Sequence, residues 1–173
     1  RFGAETVRGR VETLKPARGG FRLTTADGSV AARTVILATG VQDVAPAIPG
    51  LEDGVARGLV RICPICDGYE VIGQSVGVIG KDDHCADEAL FIRTYSDDVT
   101  FIHVGAIPLP KPVLAKLGRA GVKLIDSAVQ GVTIEKRRIT AFDFGTGKPC
   151  RFDVVYSPLG VTPRSQLAVQ AGA

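Results

Sequence analysis

The stretch from Ser75 to Val104 constrains the fold more than any other part of the chain. Ser75 to Ile79 is a short, continuous apolar run that ends at Gly80, the pattern of a buried strand followed by a turn. Asp83 to Ser96 then places Ala86, Ala89, Leu90 and Ile92 where one helical face would pack on a sheet. Val99 to Val104 is the next apolar run. Strand, helix and strand in this order form a βαβ unit, which needs a parallel sheet and a crossover. The chain is therefore read as α/β.

The flanking segments extend this reading. A helix over Pro112 to Ala120, stopped by Gly121, leads into a short strand from Val122 to Ile125. Val129 to Ile134, Arg138 to Phe144 and Arg151 to Tyr156 read as a β-meander, with turns at Lys136-Arg137 and Gly145 to Pro149. Upstream, residues 5 to 38 read as β structure. Val7, Val11 and Leu14 are apolar among polar neighbours, Gly19-Gly20 marks a turn, and Asp27-Gly28 is a hairpin signal after Phe21 to Thr25. Thr34 to Ala38 is a β-branched run expected to be a buried strand, ending at Thr39-Gly40. Pro46, Pro49 and Gly50 make a stiff connection, and Pro49 to Gly58 reads as a linker into a second unit.

Composition closes off other classes. The 173 residues carry a net charge of +3, dispersed along the chain, which gives no argument for nucleic acid or a membrane surface. The one basic cluster, Lys136 to Arg138, reads as a solvated hairpin end. No apolar run is long enough to span a bilayer. The chain begins at Arg1, which suggests a piece of something longer.

Four cysteines do not make a stapled secreted scaffold. Two of them form Cys63-Pro64-Ile65-Cys66, followed by Asp67-Gly68. Thiols at this spacing close into a disulfide with little backbone movement, and an adjacent acid can manage protons. Beside a nucleotide-type βα unit the pattern reads as redox chemistry. A zinc site would need a second ligand pair, and Cys85, Cys150, His84 and His103 do not supply one at metal-binding spacing, so no metal is expected.

Taken in order, Ala38-Thr39-Gly40, Ile48-Pro49-Gly50, Cys63-x-x-Cys66-Asp67-Gly68 and Val76-x-Val78-Ile79-Gly80 leading to Glu88-Ala89-Leu90 resemble the low-molecular-weight thioredoxin reductase family. The resemblance implies a Rossmann-like parallel sheet with a β-meander, inserted as a nicotinamide-type domain, plus part of a split FAD-binding domain. It places the flavin-domain tail at residues 1–57, the inserted domain at 58–158 and the start of the return at 159–173. It implies FAD in the full-length parent, with Thr39 and Gly40 on the FAD side, and a fragment that by itself binds FAD poorly. Cys66 would be the flavin-proximal thiol, Cys63 the interchange thiol and Asp67 the proton donor and acceptor. A thioredoxin-like protein or a small-molecule dithiol or disulfide would be the partner. The protein would be a cytoplasmic homodimer.

The NADPH elements depart from that family. The fingerprint G-x-G-x-x-G/A is here Gly80-Lys81-Asp82-Asp83-His84-Cys85, with Asp82 where the second glycine lets the backbone approach the phosphates. A carboxylate about 5 Å from a phosphate, at an effective dielectric of about 20, costs about 3 kcal/mol. After the next strand, His103-Val104-Gly105 keeps the histidine of a His-Arg-Arg-type motif and neither arginine. Both departures argue for weak or abandoned NADPH binding at this degenerate site.

Three functions remain in view. One is a thioredoxin reductase-like enzyme fed by NADPH or, given the altered site, by a reductant such as ferredoxin. Another is an NADPH-independent, FAD-dependent dithiol oxidase that uses oxygen, a branch that shares the Gly68-Tyr69-Glu70 stretch but more often carries histidine in place of Asp67. The last is a non-catalytic module, against which the intact Cys-x-x-Cys-Asp argues.

Overall fold

The computed structural model describes residues 3–136, 138–145 and 148–173. Arg1, the Arg137 of the basic cluster and its turn, and residues 146–147 of the Gly145 to Pro149 turn lie outside the described residues. The chain divides into two compact units: Arg1–Gln42 with Thr162–Ala173, and Asp43–Val161.

In the first unit, β1 (Thr13–Ala17), β2 (Gly20–Thr25) and β3 (Gly28–Ala32) form an antiparallel sheet in the order β1-β2-β3. The β1–β2 turn depends on Gly19 and Gly20, with φ of 79° and 154°. A Cβ at Gly20 would lie 2.2 Å from the Ala32 carbonyl oxygen, so a side chain there is excluded. Thr25 pairs with Gly28, which leaves Ala26 and Asp27 as the two-residue loop.

Thr34 to Ala38 departs from expectation. It forms no strand, and Ile36 is 89% exposed. A strand is made by its ladder partners, and no described strand pairs with this run. The segment ends in β4 (Val41–Asp43).

The second unit is layered around a parallel sheet. A short helix α1 (Pro64–Asp67) and one 3-10 turn (Gly68–Val71) precede β5 (Ser75–Gly80). Then come α2 (Asp83–Ile92), β6 (Asp98–His103), α3 (Lys111–Arg119) and β7 (Lys123–Ile125). After the antiparallel hairpin β8 (Gly131–Glu135) and β9 (Arg138–Asp143), β10 (Val154–Tyr156) completes the sheet, ordered β10-β5-β6-β7. Gly121, with φ of 74°, ends the turn after α3 as a left-handed stop.

The third run of the expected meander is therefore placed differently. Val154–Tyr156 pairs in parallel with Val76–Val78, and among the described residues of this run only Cys150 bridges back to Phe142. The reason is burial. In this position Val155 and Tyr156 are both covered, on opposite faces of the sheet.

Strand alternation sorts the core into two layers. On one face Val76, Val78, Phe101 and Tyr156 pack with Ala86, Ala89 and Ile92 of α2. On the other, Ile79, Ile102 and Val155 pack with Ile139 and Phe142 of the hairpin and with Ile48, Leu51 and Leu59. The Pro49 to Gly58 segment, read as a linker, is thus packed on the second face through Leu51, which is fully buried. The chain ends with β11 (Val161–Pro163) and α4 (Gln166–Gln170), whose Gln170 Oε1 accepts the Leu14 backbone N–H at 3.1 Å in the first unit.

Candidate active site around the Cys63–Cys66 disulfide

Arg61 joins the edge of the parallel sheet before the cysteines begin. Its N–H donates to the Val155 carbonyl at 2.9 Å and its carbonyl accepts from Ser157 N at 2.8 Å, forming a parallel bridge opposite Tyr156. The chain then turns at Cys63, the residue before α1, with buried Pro64 in the first turn. Cys66 N donates to the Cys63 carbonyl at 3.0 Å, and the two cysteines are disulfide-bonded with Cα atoms 5.3 Å apart. Cys66 is exposed and Cys63 half-buried. Ile65 and Tyr69, neighbours in sequence, are exposed as well. Gly68 is buried, and a Cβ on it would lie 3.1 Å from the Tyr95 ring, so the turn after Asp67 lies flat against that ring.

Asp67 is held at both oxygens. Tyr156 Oη donates to Oδ1 at 2.6 Å, and Arg61 Nη1 lies 3.1 Å from Oδ2. Arg61 Nη1 is also 3.0 Å from Glu70 Oε2. Neither Arg61 contact has hydrogen-bond geometry, so charge rather than a directed bond holds them. The guanidinium also sits 5.9 Å from the Tyr156 ring centroid, within cation–π range. Burial, followed by donation to Asp67, raises the Tyr156 hydroxyl above its ordinary value. Burial works to lower Arg61, but Tyr156 and the two carboxylates outweigh it and raise the guanidinium further, so it stays charged.

The loop after β5 is closed by its own side chains. Asp82 Oδ1 accepts from Cys85 N at 3.0 Å and caps α2. Partial burial works to raise the Asp82 carboxyl, but the hydrogen bonds from Cys85, with Lys81 and His84 nearby, bring it below the ordinary range. His103 is buried. Its Nδ1 lies 2.9 Å from Asp126 Oδ1 and its Nε2 3.3 Å from the Lys81 carbonyl. Asp83 and His84 are exposed at the start of α2. Apart from these, in the first unit, Thr39 Oγ1 donates to the Arg164 carbonyl at 2.6 Å and the Gly40 carbonyl accepts from Arg164 N at 3.1 Å.

A sequence model of the pyridine nucleotide-disulphide oxidoreductases matches residues 3–173. The chain belongs to that family.

Curated relatives of this pyridine nucleotide-disulphide oxidoreductase include thioredoxin reductases. That of Treponema pallidum is 38% identical over 102 residues, which cover 59% of this chain and 33% of the relative. The bifunctional thioredoxin reductase/thioredoxin of Mycobacterium leprae is 40% identical over 105 residues, covering 60% and 22%. The chain thus spans about a third or less of these curated relatives. In solved structures, HlmI superposes with a TM-score of 0.87 at 28% identity, over 98% of this chain and 54% of that one. A thioredoxin reductase from Bacillus anthracis superposes at 0.82 with 22% identity, over 95% and 55%, and supports the Rossmann-type fold.

The structure of this family member sets Cys66 and Asp67 on α1, with Cys63 immediately before it and Asp67 at its end. Gly80, Lys81, Asp82 and His103 meet at the carboxyl edge of the sheet, where ligands of open α/β folds bind. Sequence reasoning missed Arg61 and Tyr156. No sequence signal marked them: only in the structure does Tyr156 end a parallel strand, the position that Gly80 and His103 hold on theirs.

Proposed function

We propose that this chain belongs to a thioredoxin reductase-like flavoprotein in which Cys63–Cys66 carries electron pairs between FAD and a partner's disulfide or dithiol. The observation that carries the reading is the disulfide between half-buried Cys63 and exposed Cys66, set in Cys-x-x-Cys-Asp-Gly, in a chain similar to thioredoxin reductases. In this reading the first unit is part of the FAD-binding domain and the second is the nicotinamide-type domain. The partner is a thioredoxin-like protein or a small dithiol, and the working form is a cytoplasmic homodimer.

Exposed Cys66, with exposed Ile65 before it and exposed Tyr69 three residues on, fits the approach of a flat aromatic ring, and FAD when bound supplies a two-electron carrier. The chain's own residues do the rest. Reduction breaks the Cys63–Cys66 bond, two electrons enter, and two protons are taken up to give the dithiol. Asp67 is the carboxylate beside Cys66 and serves that proton traffic. Cys63 is the thiol that meets the partner.

The nucleotide loop fits NADPH poorly. A pyrophosphate at the start of α2 would meet the Asp82 carboxylate that already caps it. This favours a second reading, in which electrons enter from a dithiol and leave to oxygen, or enter from a ferredoxin-type donor, without NADPH.

Anaerobic titration of the full-length parent, reconstituted with FAD, tests both readings. Dithiothreitol is expected to bleach the flavin and NADPH to do so slowly or not at all. Rapid bleaching by NADPH overturns the closed-loop reading. Peroxide formed from a dithiol in air supports the oxidase direction. Bleaching by dithiothreitol that is unchanged in a Cys63→Ser variant overturns the disulfide's role.

A further inference from the structure

The Arg61–Asp67–Tyr156 cluster is not accounted for by the redox reading alone. Its members come from two places far apart in the chain. Arg61 and Asp67 flank the disulfide, while Tyr156 lies 89 residues beyond Asp67, at the end of β10. Tyr156 is fully buried, and its hydroxyl is the one polar group it must place. That group is spent on Oδ1 of Asp67. Arg61 is fixed to the same strand through its backbone and turns its guanidinium onto Oδ2.

We propose that Arg61 and Tyr156 are positioning residues for Asp67: they partner one carboxylate oxygen each, so that a Cys66 thiolate forms beside a charge-balanced carboxylate rather than a bare one. The inference rests on the disulfide being redox-active. It also assigns the two oxygens. Oδ1 is engaged by the phenol, whereas the Arg61 contact to Oδ2 is not a directed hydrogen bond. Among the described residues, the charged and titratable groups in contact with this carboxylate are Arg61, Tyr156 and, through Arg61, Glu70; on the α2 side the Tyr95 ring packs against the adjoining Gly68.

The test needs no flavin turnover. Dithiothreitol reduces the disulfide by thiolate attack: the Cys63–Cys66 bond breaks, a mixed disulfide forms, and the second thiol of the reagent closes its own ring. The reagent loses two electrons, and its two thiol protons end on Cys63 and Cys66. The rate at which the resulting dithiol is alkylated by iodoacetamide is then followed from pH 5 to 10 in the full protein. Tyr156→Phe keeps the buried ring and removes only the donor. It is expected to move the alkylation profile to higher pH and to slow the reaction at pH 7 about threefold or more. Arg61→Gln shifts it the same way.

The shift must vanish when Asp67→Asn is the background, because the effect acts through that carboxylate. A Tyr156→Phe profile identical to wild type overturns the proposal, as does a shift of equal size in the Asp67→Asn background. Circular dichroism melts show whether each variant is folded, and Arg61→Lys, which keeps the charge, is expected to keep the wild-type profile; a shift as large as that of Arg61→Gln overturns the part assigned to the charge. Failure of the redox reading looks different: dithiothreitol then opens the disulfide while the flavin of the FAD-reconstituted full-length parent stays oxidised.

Discussion

Asp82 Oδ1 accepts the backbone N–H of Cys85 at 3.0 Å, so the helix that follows β5 begins with an anion of its own. Exposed backbone N–H groups and the positive end of the helix dipole are what a dinucleotide phosphate would use at this position. One of those donors is already bonded to a carboxylate, and the dipole is already compensated. The same residue caps α2 and sets a carboxylate where a phosphate would have to approach.

The cap should be visible in stability. Asp82→Ala is expected to cost about 1 kcal/mol, read as a lower midpoint in urea unfolding. The Asp82 carboxyl lies below its ordinary range in the folded state, so its contribution is complete above the unfolded carboxylate value, about pH 4, and fades as pH falls through the folded value. Asn caps as well as Asp does, without ionising. Asp82→Asn should match wild type at pH 7 within a few tenths of a kcal/mol, and the acid-side loss that wild type shows below about pH 4 should be smaller in this variant. Equal acid sensitivity in the two proteins would count against the cap.

Ligand affinity separates charge from shape. Replacing Asp82 by Gly removes the carboxylate and clears the backbone, and should tighten NADPH binding by up to about a hundredfold, measured by calorimetry. Asp82→Asn, which removes charge only, should fall between that variant and wild type. If both bind no better than wild type, the carboxylate is not the obstacle.

Gly80 has a packing reason beyond any ligand. A Cβ there would lie 2.4 Å from Phe101 Cε2 and 2.5 Å from the Cys85 Cβ, both in the core. Gly80→Ala should therefore destabilise by about 1–3 kcal/mol through overpacking. Gly118, on the exposed side of α3, would have nothing within 4 Å of an added methyl group. There Gly118→Ala should stabilise by about 0.8–1 kcal/mol through helix propensity. Urea midpoints that move in the same direction would refute the contrast.

How far the sequence carried this reading follows from the range of each interaction. The βαβ unit was legible because its strands and helix each announce themselves within a few residues: Val76, Val78 and Ile79, then Ala86, Ala89 and Ile92. Thr34 to Ala38 announced a strand just as clearly, but propensity does not supply a ladder partner. Val154–Tyr156 is too short for its pattern to tell a parallel neighbour from an antiparallel one. His103 looked like a remnant of a nucleotide motif, and its ring is buried between Asp126 and the Lys81 carbonyl. The disulfide was evident from spacing. The clamp on Asp67 was not, because its second half is contributed by a residue at the far end of the sheet's own chain order.

The two remaining cysteines should differ sharply in reactivity. Cys85 is buried, and its thiol donates to the Pro158 carbonyl at 3.3 Å. Burial raises it above its ordinary value and so withholds the thiolate that electrophiles need. Cys150 is half-buried on the bridge to Phe142. With Cys63–Cys66 left oxidised, native-state labelling by N-ethylmaleimide followed by peptide mass spectrometry should mark Cys150 first. Cys85 should react only as the protein unfolds, so its labelling should rise along the urea curve with loss of structure. Labelling of Cys85 at native conditions, at a rate near that of Cys150, would show that the α2–β5 junction opens and that the tight packing of Gly80, Cys85 and Phe101 does not hold in solution.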